Sequence, residues 1–281
     1  MHMQPPTHVL LIDCPDQRGL IHTITGILYA AGLNISRNDE FVDPETRRFF
    51  MRTVCEGPLD VPALRTALLA ALPADTRLHL APRRDKNIVV LATREHHCLG
   101  DLLLRHRHGE LSAQIQAVIS NHRELQPLTG AFGVPFHYVS HSDKDRDQHE
   151  AEVLRLLEIY QPDYLVLAKY MRILQPAFVA RYPRRIINIH HSFLPAFIGA
   201  NPYRQAFERG VKIIGATAHY VNQDLDDGPI IAQEVLPVDH RYTTRDMAQA
   251  GREIEKLTLA KALALVFEDR VFVYGNKTVI L

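Results

Sequence analysis

Asn188 and His190 stand two residues apart at the end of the apolar run Ile186-Ile187-Asn188-Ile189-His190, and Asp226 follows in the polar stretch Asp224-Leu225-Asp226-Asp227-Gly228-Pro229. On a strand, residues two apart point to the same face, so the amide and the imidazole can address one bound atom. A carboxamide N–H can hold a carbonyl oxygen as negative charge builds on it during nucleophilic attack. An imidazole, whose ordinary pKa lies near neutrality, can add a second donor or give a proton to a departing nitrogen. The carboxylate sits in a turn between two apolar segments, where it can keep the imidazole protonated or draw a proton from water. Its neighbours Asp224 and Asp227 are expected to raise its pKa by like-charge repulsion. Spacing alone supports acyl-type chemistry, and each residue taken singly also suits an ordinary strand end or turn.

The chain that must position these groups has 281 residues, 46% of them hydrophobic, enough for one large domain or two smaller ones. Lys plus Arg equals Asp plus Glu at 32 each, so no net field draws a nucleic acid or an anionic membrane surface. The start, Met1-His2-Met3-Gln4-Pro5-Pro6, has no basic segment leading into an apolar one, and no long apolar run occurs elsewhere. Neither an export signal nor a membrane span is expected. Cys14, Cys55 and Cys98 are widely spaced and form no CxxC pair, which fits a reducing compartment, so a cytoplasmic protein is expected. The pairs His96-His97 and His190-His191 lack companions at ligand spacing, and no metal is expected.

Periodicity divides the chain in two. Residues 8–12 form an apolar run, and Leu20, Ile21, Ile24, Ile27, Leu28 and Ala31 then fall on one face of a helical pattern. Residues 33–42 and 47–55 read as strands joined by the turn Asp43-Pro44-Glu45-Thr46. A second helix starts after Asp60 as N-cap, turns Val61, Leu64, Ala67, Leu68 and Leu72 inward, and precedes a strand at 76–80. The order βαββαβ predicts a ferredoxin-like unit over residues 1–81. A polar linker at 82–86 follows. Beyond it, apolar runs at 88–92, 115–119, 164–168 and 186–189 alternate with helical patterns such as 151–160, predicting a mainly parallel, Rossmann-like α/β domain over 87–281. The ligand crevice of such a sheet lies at the carboxyl ends of its strands, where Asn188 and His190 fall. Residues 243–267 make a long helix capped by Thr243 or Thr244, and 270–281 a hairpin around Gly275-Asn276.

Taken together, Asn188-Ile189-His190, Ser192-Phe193-Leu194-Pro195 and Leu225-Asp226-Asp227-Gly228-Pro229 resemble, in order and spacing, the signature of the folate-dependent formyltransferase family. That resemblance implies that Asn188, His190 and Asp226 act on the formyl group of 10-formyltetrahydrofolate, a substrate rather than a tightly bound cofactor. Residues 167–174 look like the family segment whose backbone lines the pterin pocket, with the Lys169 and Tyr170 positions varying among relatives. The likeness implies folate contacts from Leu167, Met171, Arg172, Ile173 and Leu174, and from His219, Val221, Asp224 and Leu225 on the other side. Nearly the whole chain, through residues 14–20, 168–172, 190–199 and 271–276, is similar to the formyltetrahydrofolate deformylase branch. That branch uses water as acceptor and releases formate, which one-carbon metabolism supplies to purine synthesis.

The N-terminal unit resembles an ACT domain, a fold that commonly binds amino acids. The resemblance implies an effector site near Asp16, Gln17, Arg18, Gly19, Leu20 and Asn34, with a purely structural or dimerising role as the other possibility. Exposed sheet edges of such units lead us to expect a homo-oligomer. The same catalytic signature serves transferases that pass the formyl group to an amine. In the relative that formylates glycinamide ribonucleotide, a Gly- and Ser-rich turn after the first strand holds the substrate phosphate. Here residues 93–99, Thr-Arg-Glu-His-His-Cys-Leu, contain no glycine, so water is the expected acceptor. An amine-acceptor transferase and a non-catalytic folate or amino-acid sensor stay open at this point.

Overall fold

The apolar run at residues 8–12 becomes part of strand β1 (Thr7–Pro15), whose Leu10, Ile12 and Cys14 share one face. They meet Leu20, Ile24 and Leu28 of helix α1 (Leu20–Ala30), together with Leu64 and Leu68 of α2 (Val61–Ala71), in one apolar core. The Asp60 side chain caps α2 by accepting from the Ala63 N–H, an interaction worth about 1 kcal/mol. Strands β2 (Asn34–Asp43) and β3 (Arg48–Glu56) are joined by the expected turn, where Asp43 Oδ1 accepts from the N–H of Glu45 at 2.9 Å. With β4 (Arg77–Pro82) the sheet runs β2-β3-β1-β4, every neighbour antiparallel, which is the ferredoxin-like arrangement. The computed structural model describes residues 5–195 and 202–281, so residues 196–199 of the 190–199 string lie outside the described residues.

The second unit begins at Asp85, and the break between β4 and β5 is residues 83–85. Its strands are β5 (Lys86–Ala92), β6 (Ala113–Ser120), β7 (Phe136–Tyr138), β8 (Tyr164–Ala168), β9 (Ile186–His190), β10 (Ile213–Tyr220) and β11 (Ile230–Pro237), in the order β11-β10-β9-β8-β5-β6-β7. From β7 to β9 the neighbours are parallel, while β10 and β11 are antiparallel additions at one side. The chain winds outward from β5 to β6 and β7, then returns to β5 with β8. That reversal opens a crevice at the strands' carboxyl ends.

Helices α3 (His97–Arg107), α4 (Gln126–Ala131), α5 (Arg146–Tyr160), α6 (Pro176–Arg181), α7 (Pro202–Arg209) and α8 (Thr244–Phe267) complete the unit. α5 starts with a capping box between Asp145 and Gln148, and its Val153 and Leu157 join Val89, Leu91, Leu165 and Ile186 in the core. At the start of α8, Thr243 Oγ1 accepts from the Asp246 N–H and Asp246 Oδ2 accepts from the Thr243 N–H, so Thr243 is the cap.

The tail departs from the sequence division, which assigned all of 87–281 to one domain. Glu268–Tyr274 and Val279–Leu281 belong with the first unit, and only Gly275–Thr278 of the hairpin β12 (Val271–Tyr274) and β13 (Lys277–Ile280) belongs with the second. The physical reason lies on β3, which is buried along almost its whole length. Phe50 meets the rings of Phe272 and Tyr274 at 5.6 and 6.1 Å, and the Arg52 guanidinium donates to the carbonyls of Glu268 and Asp269.

Candidate active site

Strand β9 brings Asn188 and His190 to one face, where they line a cavity of about 330 Å³ together with Asp226 from the loop after β10. His190 Nδ1 lies 3.2 Å from Asp226 Oδ1. The ring is buried, and its Nε2 has no hydrogen-bond partner among the described residues. A donor or acceptor so placed, in a concave site, is available to a bound molecule.

Asp226 adopts φ +56°, a conformation that aspartate tolerates better than most residues. Gly228 holds this loop against β10: a Cβ there would fall 1.7 Å from the Tyr220 carbonyl oxygen, while the Tyr220 N–H donates to the Pro229 carbonyl at 2.9 Å. The hairpin tip braces the same loop, with Asn276 Nδ2 donating to the Asp227 carbonyl at 2.8 Å.

On β10, His219 Nδ1 lies 2.9 Å from the Tyr220 carbonyl and must donate to it, since a carbonyl only accepts. Burial lowers the pKa of His219, so the ring is neutral and its Nε2 carries a lone pair. That lone pair faces Asn188 Nδ2 at 3.2 Å. The contact fixes which end of the carboxamide is nitrogen and leaves its second N–H for a ligand. The pairing of β10 with β11 slips by one residue between Ala218 and His219, an irregularity that re-aims side chains beside a site.

Asp226 departs from the sequence expectation. Burial works to raise its pKa, but the hydrogen bond and charge of His190, with smaller contributions from His219 and His191, outweigh it, and the net shift is downward. Asp224 and Asp227 do not produce the expected upward shift. Both are exposed, where water screens them, whereas Asp226 turns inward onto the histidines.

The formyl transferase family matches residues 86–263, and the ACT domain family matches residues 8–72. A formyltetrahydrofolate deformylase of Haemophilus influenzae is 55% identical over 273 residues, 97% of this chain and 98% of that protein. The chain belongs to the formyltetrahydrofolate deformylase family. Among solved structures, a formyltetrahydrofolate deformylase from Pseudomonas syringae pv. tomato superposes with a TM-score of 0.94 at 40% identity, covering 100% of this chain and 96% of that one. A glycinamide ribonucleotide transformylase from Symbiobacterium toebii gives 0.68 at 31% identity and covers 73% of this chain and 98% of that one. The deformylase family therefore spans both units, while that transformylase leaves about a quarter of the chain uncovered.

With the deformylase family established, the residues expected to contact folate can be located. Leu167, Met171, Arg172, Ile173 and Leu174 form one wall of the cavity, and His219, Val221, Asp224 and Leu225 the other. Met171, Ile173 and Leu225 are exposed apolar side chains on its lining. The Met171 N–H donates to Thr93 Oγ1 at 3.0 Å, tying the segment after β8 to the end of β5. Sequence reasoning missed Ile189, His191, Asn222 and Gln223, which also line the cavity, and it passed over Lys169 and Tyr170 as variable. It also missed Thr217 and Gln233. Thr217 Oγ1 donates to the Ser192 carbonyl and accepts from the Leu194 N–H, and Gln233 Nε2 donates to the Leu194 carbonyl, which anchors the turn after His190. Thr217 sits two residues before His219 on one strand face, a spacing that could have marked it.

His97, Cys98 and Glu255 bring ligand atoms within 4.8 Å of one another, a spacing a metal ion can use. The donor set fits a metal poorly. Lys169 Nζ already stands 3.2 Å from Glu255 Oε2 as the compensating cation, and burial followed by the charge of Glu255 pushes the Cys98 thiol well above its ordinary pKa.

In the ACT unit the expected effector residues stand in different settings. Asn34 lies in an open hollow with His22, Tyr29 and Ile35, which none of Asp16, Gln17, Arg18, Gly19 and Leu20 lines. Asp16 is ion-paired with Arg47 at 2.7 Å, Gln17 and Arg18 lie in the turn before α1, Gly19 stands at the head of α1, and Leu20 is buried in the core.

Proposed function

We propose that Asn188, His190 and Asp226 carry the hydrolysis of 10-formyltetrahydrofolate by this chain, with the folate along the wall of residues 167–174 and 219–225. The observation that carries the reading is the geometry of His190, which lines the same cavity as Asn188: Nδ1 is engaged by Asp226 at 3.2 Å, and Nε2 is buried and without a partner among the described residues.

In this reading His190 bears a proton on each ring nitrogen, one given to Asp226 and one presented to the substrate. The lowered pKa of Asp226 keeps it ionised, so Oδ1 can hold the imidazolium while Oδ2 takes a proton from water. As the water oxygen bonds to the formyl carbon, the free N–H of Asn188 and the Nε2–H of His190 stabilise the oxyanion. Collapse breaks the bond between that carbon and N10, N10 takes the His190 proton, and formate and tetrahydrofolate leave. Incubation with 10-formyltetrahydrofolate and no amine should release formate at a rate proportional to enzyme. Release only after an amine is added would instead support a transferase.

The first unit is proposed to bind a small amino acid and to bring copies of the chain together, on the strength of its match to the ACT domain family. A panel of amino acids should contain one that changes the rate of formate release, and sedimentation should show an oligomer. An unchanged rate across the panel would leave the unit a structural role. The described residues contain no helix long and apolar enough to cross a membrane, and all three cysteines are free thiols, which supports a cytoplasmic location.

A further inference from the structure

Lys169 and His191 line the cavity beside His190, and the hydrolysis above uses neither. The His191 ring lies nearly parallel to that of His190, with centroids 5.0 Å and planes 19° apart. Burial, followed by the charge of Lys169, brings the His191 pKa down to about 4, so this ring is neutral near pH 7. Behind the two residues stands Glu255, 1% exposed and held from three directions. His97 Nε2 lies 2.6 Å from Oε2, Lys169 Nζ 3.2 Å from Oε2, and the Tyr203 hydroxyl donates to Oε1 at 2.7 Å.

This wall is specifically built. Tyr203 crosses α8 at Gly251, where a Cβ would fall 2.1 Å from the phenol ring, so glycine makes the room the ring occupies. Lys169 sits at φ +60°, a strained conformation for a residue with a side chain, retained where the surroundings over-determine it. Its ammonium is buried with Glu255 rather than extended into solvent. A buried charge network whose members satisfy one another resists rearrangement, because moving one partner strands another.

We propose that this wall selects the acceptor: Lys169 and His191, backed by Glu255, His97 and Tyr203, close the reacting end of the cavity to groups bulkier than water. The inference rests on the hydrolytic reading. With water, a C–O bond forms, the C–N10 bond breaks, N10 gains a proton, and formate leaves. With a primary amine, a C–N bond forms in place of the C–O bond, the amine loses a proton as N10 gains one, and a formylated amine leaves. Asn188, His190 and Asp226 serve both reactions equally well, so the partition between them must be set by what can reach the formyl carbon.

The test supplies 10-formyltetrahydrofolate with hydroxylamine, methylamine or glycinamide and measures formate and formylated amine by NMR. The wild-type protein should give formate, with the formylated fraction falling as the amine grows. Lys169→Ala and Tyr203→Ala should raise the ratio of formylated amine to formate by about tenfold or more, while Lys169→Arg, which keeps both bulk and charge, and Tyr203→Phe, which keeps the ring, should hold that ratio near the wild-type value. Circular dichroism and folate binding establish that each variant is folded. Folded alanine variants with an unchanged ratio would overturn the proposal. So would wild-type protein that formylates glycinamide as readily as hydroxylamine, a measurement that needs no variant. Folate binding with no formate under any condition is a separate outcome that overturns the hydrolytic reading and this inference with it.

Discussion

Asn188 Nδ2 lies 3.2 Å from His219 Nε2, and the other nitrogen of His219 is committed to the Tyr220 carbonyl. In the proposed mechanism the histidine acts through the amide it orients. Replacing His219 with Ala frees Asn188 to rotate, and kcat should fall about 10- to 100-fold, the usual cost of a misplaced catalytic group. KM for 10-formyltetrahydrofolate should change much less. His219→Gln, which offers a carbonyl oxygen to the same N–H, should recover part of the loss. A rise in KM with kcat unchanged would assign His219 to folate binding alone.

The His190–Asp226 pair makes a different prediction. Asp226→Asn keeps the shape but removes the base and the charge that holds the imidazolium, so kcat should fall by about 1,000-fold or more. Folate binding, measured by equilibrium dialysis, should hold within a few-fold. The depressed pKa of Asp226 also has a direction: the carboxylate stays ionised down to below its ordinary value of 3.8. A pH profile of kcat/KM taken down to pH 5 should therefore show no loss from protonation of this group. A fall in activity on the acid side, with its midpoint above pH 5 and absent from Asp226→Asn, would contradict the assignment.

What could be read from the sequence and what could not separates along physical lines. Caps are local, and Asp60 and Thr243, both legible in the sequence, cap helices through side-chain contacts three residues on, whereas α5 starts at Arg146 behind Asp145, five residues before the expected 151. Asn188 and His190 share a face because β periodicity is also local. The tail could not be placed the same way, since its attachment depends on Arg52 reaching carbonyls more than two hundred residues away. The direction of the Asp226 shift is not legible in the sequence, because sequence neighbours in a turn diverge in space and the histidines of β9 and β10 count for more than Asp224 and Asp227. Glu255 had a visible signal that went unread: an acid between Ile254 and Thr258–Leu259 on the apolar stripe of α8 needs buried partners.

Gly228 should be among the least replaceable residues of the loop. Gly228→Ala places a methyl group 1.7 Å from the Tyr220 carbonyl oxygen, which is backbone and cannot swing aside. The loop must lift, carrying Asp226 away from His190. We expect kcat to drop by about 100-fold while the unfolding midpoint falls by only a few degrees, because the damage is confined to one loop. Full activity in Gly228→Ala would mean that the loop does not hold Asp226 in place.

Glu255 links stability to pH with a definite sign. Burial alone would raise its pKa, but the His97 hydrogen bond, the Lys169 charge and the Tyr203 hydroxyl together draw it from 4.5 down to about 2. A depressed carboxylate stabilises the folded state above its unfolded pKa and loses that contribution as pH falls through its folded pKa. The stabilisation is thus complete above about pH 5 and lost progressively between 4.5 and about 2. Glu255→Gln, similar in shape and uncharged, should be less stable than wild type by a few kcal/mol at pH 7, with buried Lys169 left only the half-exposed Glu95 carboxylate at 4.0 Å. Urea unfolding of both proteins at pH 7, 5, 4 and 3 should show that difference constant over the first two values and shrinking over the last two. A difference that stays the same at pH 3 would mean that the charge of Glu255 is not what the network holds.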